Sequence, residues 1–81
     1  MTAIARARAD LVAGRHWKAR DRLDGLLSVR QDSEVADLLA TVHYEMHDLP
    51  AAGALWFVTG RNDEVARESI AAWRQRAHLR G

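Results

Sequence analysis

Apolar residues recur at spacings of three and four along almost the whole chain, the period of an amphipathic α-helix. Long β-branched alternations are absent and Pro occurs once. The pattern predicts five helices. The first covers residues 2–13, with Ile4, Ala7, Leu11 and Ala3 on its stripe, and Gly14 stops it. The second covers residues 16–29, with Ala19, Leu23, Leu26, Leu27 and Arg30 on one stripe. Gly25 lies off the centre of that stripe and costs up to ~1 kcal/mol relative to Ala; close packing of a neighbouring helix would explain it. Asp32 or Ser33 caps a third helix that runs to residue 47. Its main stripe is Val35, Leu38, Leu39, Val42 and Met46, and a second face carries Ala36, Ala40 and His43. Two adjacent apolar faces predict a helix packed on two sides. Tyr44, with Asp37 and Thr41, points the other way.

Pro50 opens a fourth helix over residues 50–59. It is apolar nearly all round, so burial on most sides is expected, with Phe57 a candidate exception because it points away from Leu55. Gly60 stops it. Asn62 or Asp63 caps a fifth helix running to residue 79, with Ala66, Ile70, Trp73 and Ala77 on the buried stripe. Arg67, Glu68 and Arg74 form its solvent face. Short loops make neighbouring helices antiparallel. The expected architecture is therefore all-α: one domain over residues 1–81, with a hairpin at about 2–30, a second at about 33–60, and a capping helix at about 62–79.

A chain of 81 residues has a thin core, and its stability margin is about 3–5 kcal/mol. There is no Cys, so neither a disulfide nor a thiolate metal site staples it. Arg6, Arg8 and Asp10 interrupt any leader-like apolar run, and the apolar stretch 49–58 is too short to span a bilayer. A cytoplasmic setting is the expectation. The net charge of +1 hides an asymmetry: residues 1–31 carry seven Arg/Lys against three acids, residues 32–68 carry two against eight, and residues 69–81 carry three Arg and no acid.

Two stretches echo each other 33 residues apart: Ala19 and Leu23 follow the turn at Gly14-Arg15-His16, and Ala52 and Trp56 follow Asp48-Leu49-Pro50. A helical period of this length resembles the tetratricopeptide repeat. Leu39, Ala40, Ala52 and Trp56 match that family's pattern in the second unit, and Ala7, Ala19 and Leu23 match it in the first. Arg6 stands where Leu39 stands in the better copy, and the closing proline is missing, so the second hairpin is expected to be the centre of the core. The resemblance covers about residues 3–62. The runs 14–23 and 48–53 also look like a group of small actinobacterial proteins of unknown function, and the Ala- and Arg-rich composition suits a high-GC bacterium. Tetratricopeptide domains bind peptides or partner helices in the groove lined by the first helix of each hairpin. The resemblance implies Ile4, Arg8 and Leu11, with Glu34, Asp37, Thr41 and Tyr44, as groove positions.

Candidate chemistry adds little to this picture. His43 and His47 are four apart, a metal-compatible spacing on a helix, but no convincing distant ligand accompanies them, so no metal or cofactor is expected. Ser28, Ser33 and Ser69 lack a His/acid arrangement, and there is no glycine-rich phosphate loop; the chain does not read as an enzyme. Trp17, beside Arg20, Asp21 and Asp24, is either an exposed binding anchor or a cover folded over the hairpin end. The expected role is a protein–protein interaction module, an adaptor or a partner-inhibiting protein, contacting a protein or peptide through Arg8, Leu11, Trp17, Glu34, Asp37, Thr41 and Tyr44. Self-association through exposed apolar edges belongs to the same reading. The alternative is nucleic-acid or phosphate-ligand binding through the basic first hairpin, with Trp17 as a stacking platform. The interleaved Asp10, Asp21 and Asp24 weigh against it.

Overall fold

A computed structural model describes residues 2–80. Its helices are α1 (Ala3–Val12), α2 (His16–Val29), α3 (Ser33–Glu45), α4 (Leu49–Thr59) and α5 (Glu64–Arg80), with no strand among the described residues. Each helix packs against the next in the chain. Side-chain caps define four of the five starts, each accepting an amide hydrogen bond that the first turn would otherwise leave unmade. Thr2 accepts from Ala5 N at 3.1 Å, Asp32 from Glu34 N at 2.9 Å, Asp48 from Ala51 N at 3.3 Å and Asp63 from Ala66 N at 2.8 Å.

The echo at 33 residues extends to backbone geometry. Gly14 and His47 both adopt the left-handed conformation, at φ 81° and 63°. At the end of α1, Gly14 N donates to Leu11 O at 3.0 Å and Arg15 N to Asp10 O at 2.7 Å; at the end of α3, His47 N donates to Tyr44 O at 3.0 Å and Asp48 N to His43 O at 2.8 Å. Both ends are Schellman motifs. The second is built on a non-glycine residue, and so α3 stops at Glu45 rather than at the expected residue 47. His47 lies past the helix, so the two imidazoles do not share a helical face.

The core has two parts joined by α3. Ala7, Ala19, Leu23, Val35, Leu39 and Val42 form one cluster between α1, α2 and α3. Ala40, Ala52, Trp56 and Ala66 form the other between α3, α4 and α5. The two-faced reading of α3 matches this division: Val35, Leu39 and Val42 face one cluster and Ala40 the other. The centre is therefore α3 itself, not the second hairpin as a unit. Arg30 and Ala77, both placed on buried stripes by periodicity, are exposed.

Two glycines exchange roles relative to expectation. A Cβ on Gly25 would meet nothing within 4 Å, so no close neighbour explains that residue. A Cβ on Gly53 would overlap the carbonyl group of Ser69 and come within 2.7 Å of Ile70 N. Gly53 thus lets α4 lie directly on the backbone of α5. Ser69 is fully buried there, and its Oγ has no hydrogen-bond partner among the described residues.

Asp10, buried at the α1–α2 corner, holds two arginines: Arg22 Nε at 2.8 Å from Oδ2 and Arg15 Nη2 at 3.2 Å from Oδ1. Burial raises its pKa, but hydrogen bonds and charge from Arg22 and Arg15 together outweigh burial and hold it below the ordinary 3.8. A folded value below the unfolded one means that this stabilisation is present above the unfolded pKa and is lost as pH falls through the lowered value. Asp10→Asn should therefore lower the urea midpoint at neutral pH, and the gap to wild type should narrow as the pH falls below the ordinary 3.8. An equal gap at both pH values would contradict this role for Asp10.

Candidate interaction surface

The residues that sequence reasoning nominated for contact fall into two groups. Arg8 and Glu34 are exposed and pair with each other at 3.4 Å, tying α1 to α3. Trp17 is 55% exposed at the start of α2, with Lys18 Nζ 5.7 Å from its ring centroid, so it does not fold over the hairpin end. The others are occupied within the fold. Leu11 packs against the first core cluster. Thr41 Oγ1 donates to Asp37 O at 3.0 Å.

Asp37 and Tyr44 do not lie opposite the core, because α4 covers that side of α3. The Trp56 indole, 1% exposed, donates to Asp37 Oδ1 at 2.8 Å. Tyr44 lies 5.8 Å from Trp56 between ring centroids. The Arg61 guanidinium stacks 4.7 Å over the same indole, with Nη1 3.5 Å from Asp37 and Nε 2.6 Å from Asp63. The Asp63 hydrogen bonds, first to the Ala66 amide and then to Arg61, hold the Asp63 carboxylate below its ordinary pKa. Asp37, Tyr44 and Arg61 therefore fasten Trp56 in place.

The basic first hairpin is largely neutralised. Arg8, Arg15, Arg20, Arg22 and Arg30 each make an ion pair with an acid, leaving Arg6 and Lys18 of its cations without one among the described residues.

A cleft of about 540 Å³ opens along α4 and α5, lined by Phe57, Asn62, Arg67, Ile70, Ala71 and Arg74. α4 is apolar nearly all round but is not buried all round: Val58 is 81% exposed and Phe57 is 49% exposed. The Phe57 ring lies 5.3 Å from that of Trp73, and the Arg74 guanidinium lies 5.3 Å from the Phe57 ring centroid, a cation–π contact. Arg67, Ile70, Ala71 and Arg74 follow one another at spacings of three, one and three on α5, so they share a flank. No acidic side chain lines the cleft, and neither arginine makes an ion pair among the described residues. Sequence reasoning flagged Phe57 as a candidate exception but assigned Arg67 and Arg74 to a plain solvent face. The signal that could have joined them was the apolar pair Ile70 and Ala71 between the two cations.

Glu68 lines a separate cleft with Tyr44, Glu45, His47 and Leu49. Among the described residues, no group of three or more His, Cys, Asp or Glu could hold a metal ion, and no helix is long and apolar enough to cross a membrane.

Compared with known protein families, the chain matches the model of a family of unknown function (DUF6584) over residues 1–80. No curated protein and no solved structure matches the chain.

Proposed function

This chain belongs to the DUF6584 family, and we propose that it is a small protein–protein interaction module, an adaptor or a partner-inhibiting protein, on a tetratricopeptide-like helical scaffold. The observation that carries this reading is the half-exposed Phe57 in an open cleft beside Arg67 and Arg74, neither of which makes an ion pair among the described residues. Aromatic residues and Arg are the side chains that dominate protein interfaces. An open cleft on two helices suits a partner segment better than a small molecule, which a binding pocket encloses on most sides. The scaffold half of the proposal draws support from the 33-residue correspondence of Gly14 with His47, Ala7 with Ala40 and Leu23 with Trp56. The ion pairs of the first hairpin favour this reading over phosphate recognition, because they compete for the cations that phosphates would need. A cytoplasmic setting goes with the proposal.

The test is affinity capture from the native host with wild type, Phe57→Asp and Trp17→Ala, each confirmed helical by circular dichroism. A specific partner should be retained by wild type and by Trp17→Ala. It should bind Phe57→Asp at least about 30-fold more weakly, the loss expected for an interface residue worth about 2 kcal/mol. The same partner set at the same affinity with all three proteins would refute the proposal.

A further inference from the structure

We propose that the partner segment seated on the α4–α5 cleft is an acidic amphipathic helix, with two carboxylates bracketing one or two large apolar side chains. This rests on the interaction reading above and names the chemistry of its partner. Arg67 and Arg74 are seven residues apart on α5 and so are separated by about 10 Å along the helix axis. Ile70 and Ala71 lie between them, and Phe57 forms the adjoining wall. The flank therefore reads cation, apolar, apolar, cation. Its complement on a partner helix is an acid at one position, large apolar residues three and four positions on, and a second acid at the seventh. That arrangement puts all four side chains on one helical face. The complement is the same read in either direction, so it fits a parallel or an antiparallel partner.

Charge gives the surface its selectivity. The cleft has cations and no acid, whereas Glu68 of α5 faces a cleft shared with Glu45. A basic segment is repelled from the first cleft and an acidic one from the second. The apolar floor distinguishes a protein segment from a bare phosphate chain, which would leave Phe57 and Ile70 uncovered. Because the arginines are exposed, the attraction is screened by salt over about 8–10 Å at physiological ionic strength.

The test is selection of short random displayed peptides on wild type, on R67E/R74E and on R67Q/R74Q, followed by binding of the enriched peptides to Phe57→Asp, with circular dichroism confirming that each variant is folded. Wild type should enrich peptides rich in Asp and Glu with Leu, Phe or Trp between them, and their affinity should fall as salt rises. Those peptides should bind R67E/R74E at least about tenfold more weakly, and R67E/R74E should itself enrich Lys- and Arg-bearing peptides. R67Q/R74Q should lose the acidic preference without gaining a basic one. Failure to enrich any peptide, enrichment without excess acid, or undiminished binding by R67E/R74E would each overturn the acidic-helix inference. Peptides that lack acids yet still depend on Phe57 would overturn it while supporting the interaction reading. Peptides indifferent to Phe57→Asp would contradict both.

Discussion

Gly53→Ala is expected to lower the unfolding free energy by about 3 kcal/mol, the upper part of the range for inserting atoms into a packed interior. For a domain of this size that is a fall in Tm of roughly 12–24 °C, at about 4–8 °C per kcal/mol. Helix propensity acts in the opposite direction, by up to ~1 kcal/mol in favour of Ala, but packing wins. The new methyl group would overlap backbone, the Ser69 carbonyl and the Ile70 amide, and backbone cannot rotate aside as a flexible side chain can. α4 and α5 would have to move apart, opening the cluster of Ala40, Ala52, Trp56 and Ala66. Gly25→Ala is the internal control, because the same chemical change meets open space. It should raise stability by about 0.5–1 kcal/mol through lower backbone entropy in the unfolded chain. Thermal melts of both variants decide the matter, and equal melting temperatures for the two would contradict the close α4–α5 approach.

Trp56→Ala is expected to cost about 3–5 kcal/mol, enough to leave little native protein. The indole is the largest fully buried side chain. Tyr44 and Arg61 flank it, and its Nε1–H donates to Asp37. The hydrogen bond can be separated from the packing. Trp56→Phe retains an aromatic ring and removes the donor, and Asp37→Ala removes the acceptor. A double-mutant cycle between them should show a coupling of about 1 kcal/mol by urea denaturation. Additive losses would mean that Asp37 does not hold the indole.

Local signals in the sequence place most of the helices. Gly14 and Gly60 mark left-handed stops, and Asp32 and Asp63, each one of two candidate caps, mark starts, because each acts on atoms within three residues; the Asp48 cap went unread, and α4 begins at Leu49 rather than Pro50. The bounds His16–Val29 of α2 follow directly from the apolar period. The two faces of α3 were also legible, since small and large residues segregate at helical spacing. What escaped reading depends on partners distant in sequence. A helical glycine carries no mark of what lies beside it, so Gly25 and Gly53 were indistinguishable until α5 was placed. His47 gave no stop signal because an L-residue is disfavoured at positive φ. Asp37 and Trp56 are 19 residues apart and Asp10 and Arg22 are 12 apart, so composition counted as surface charge what the fold uses internally. The cleft needs both Phe57 of α4 and the flank of α5, and only one of its residues stood out alone.

On the proposed function, partner contact uses α4 and α5 rather than the groove helices α1 and α3. Amide NMR titration of the wild-type protein with its captured partner, or with a peptide selected on it, tests this most directly. Shifts concentrated at Phe57, Arg67, Ile70 and Arg74 are the expected result. Shifts concentrated at Arg8, Glu34 and Thr41, or at Trp17, with α4 and α5 unmoved, would contradict it.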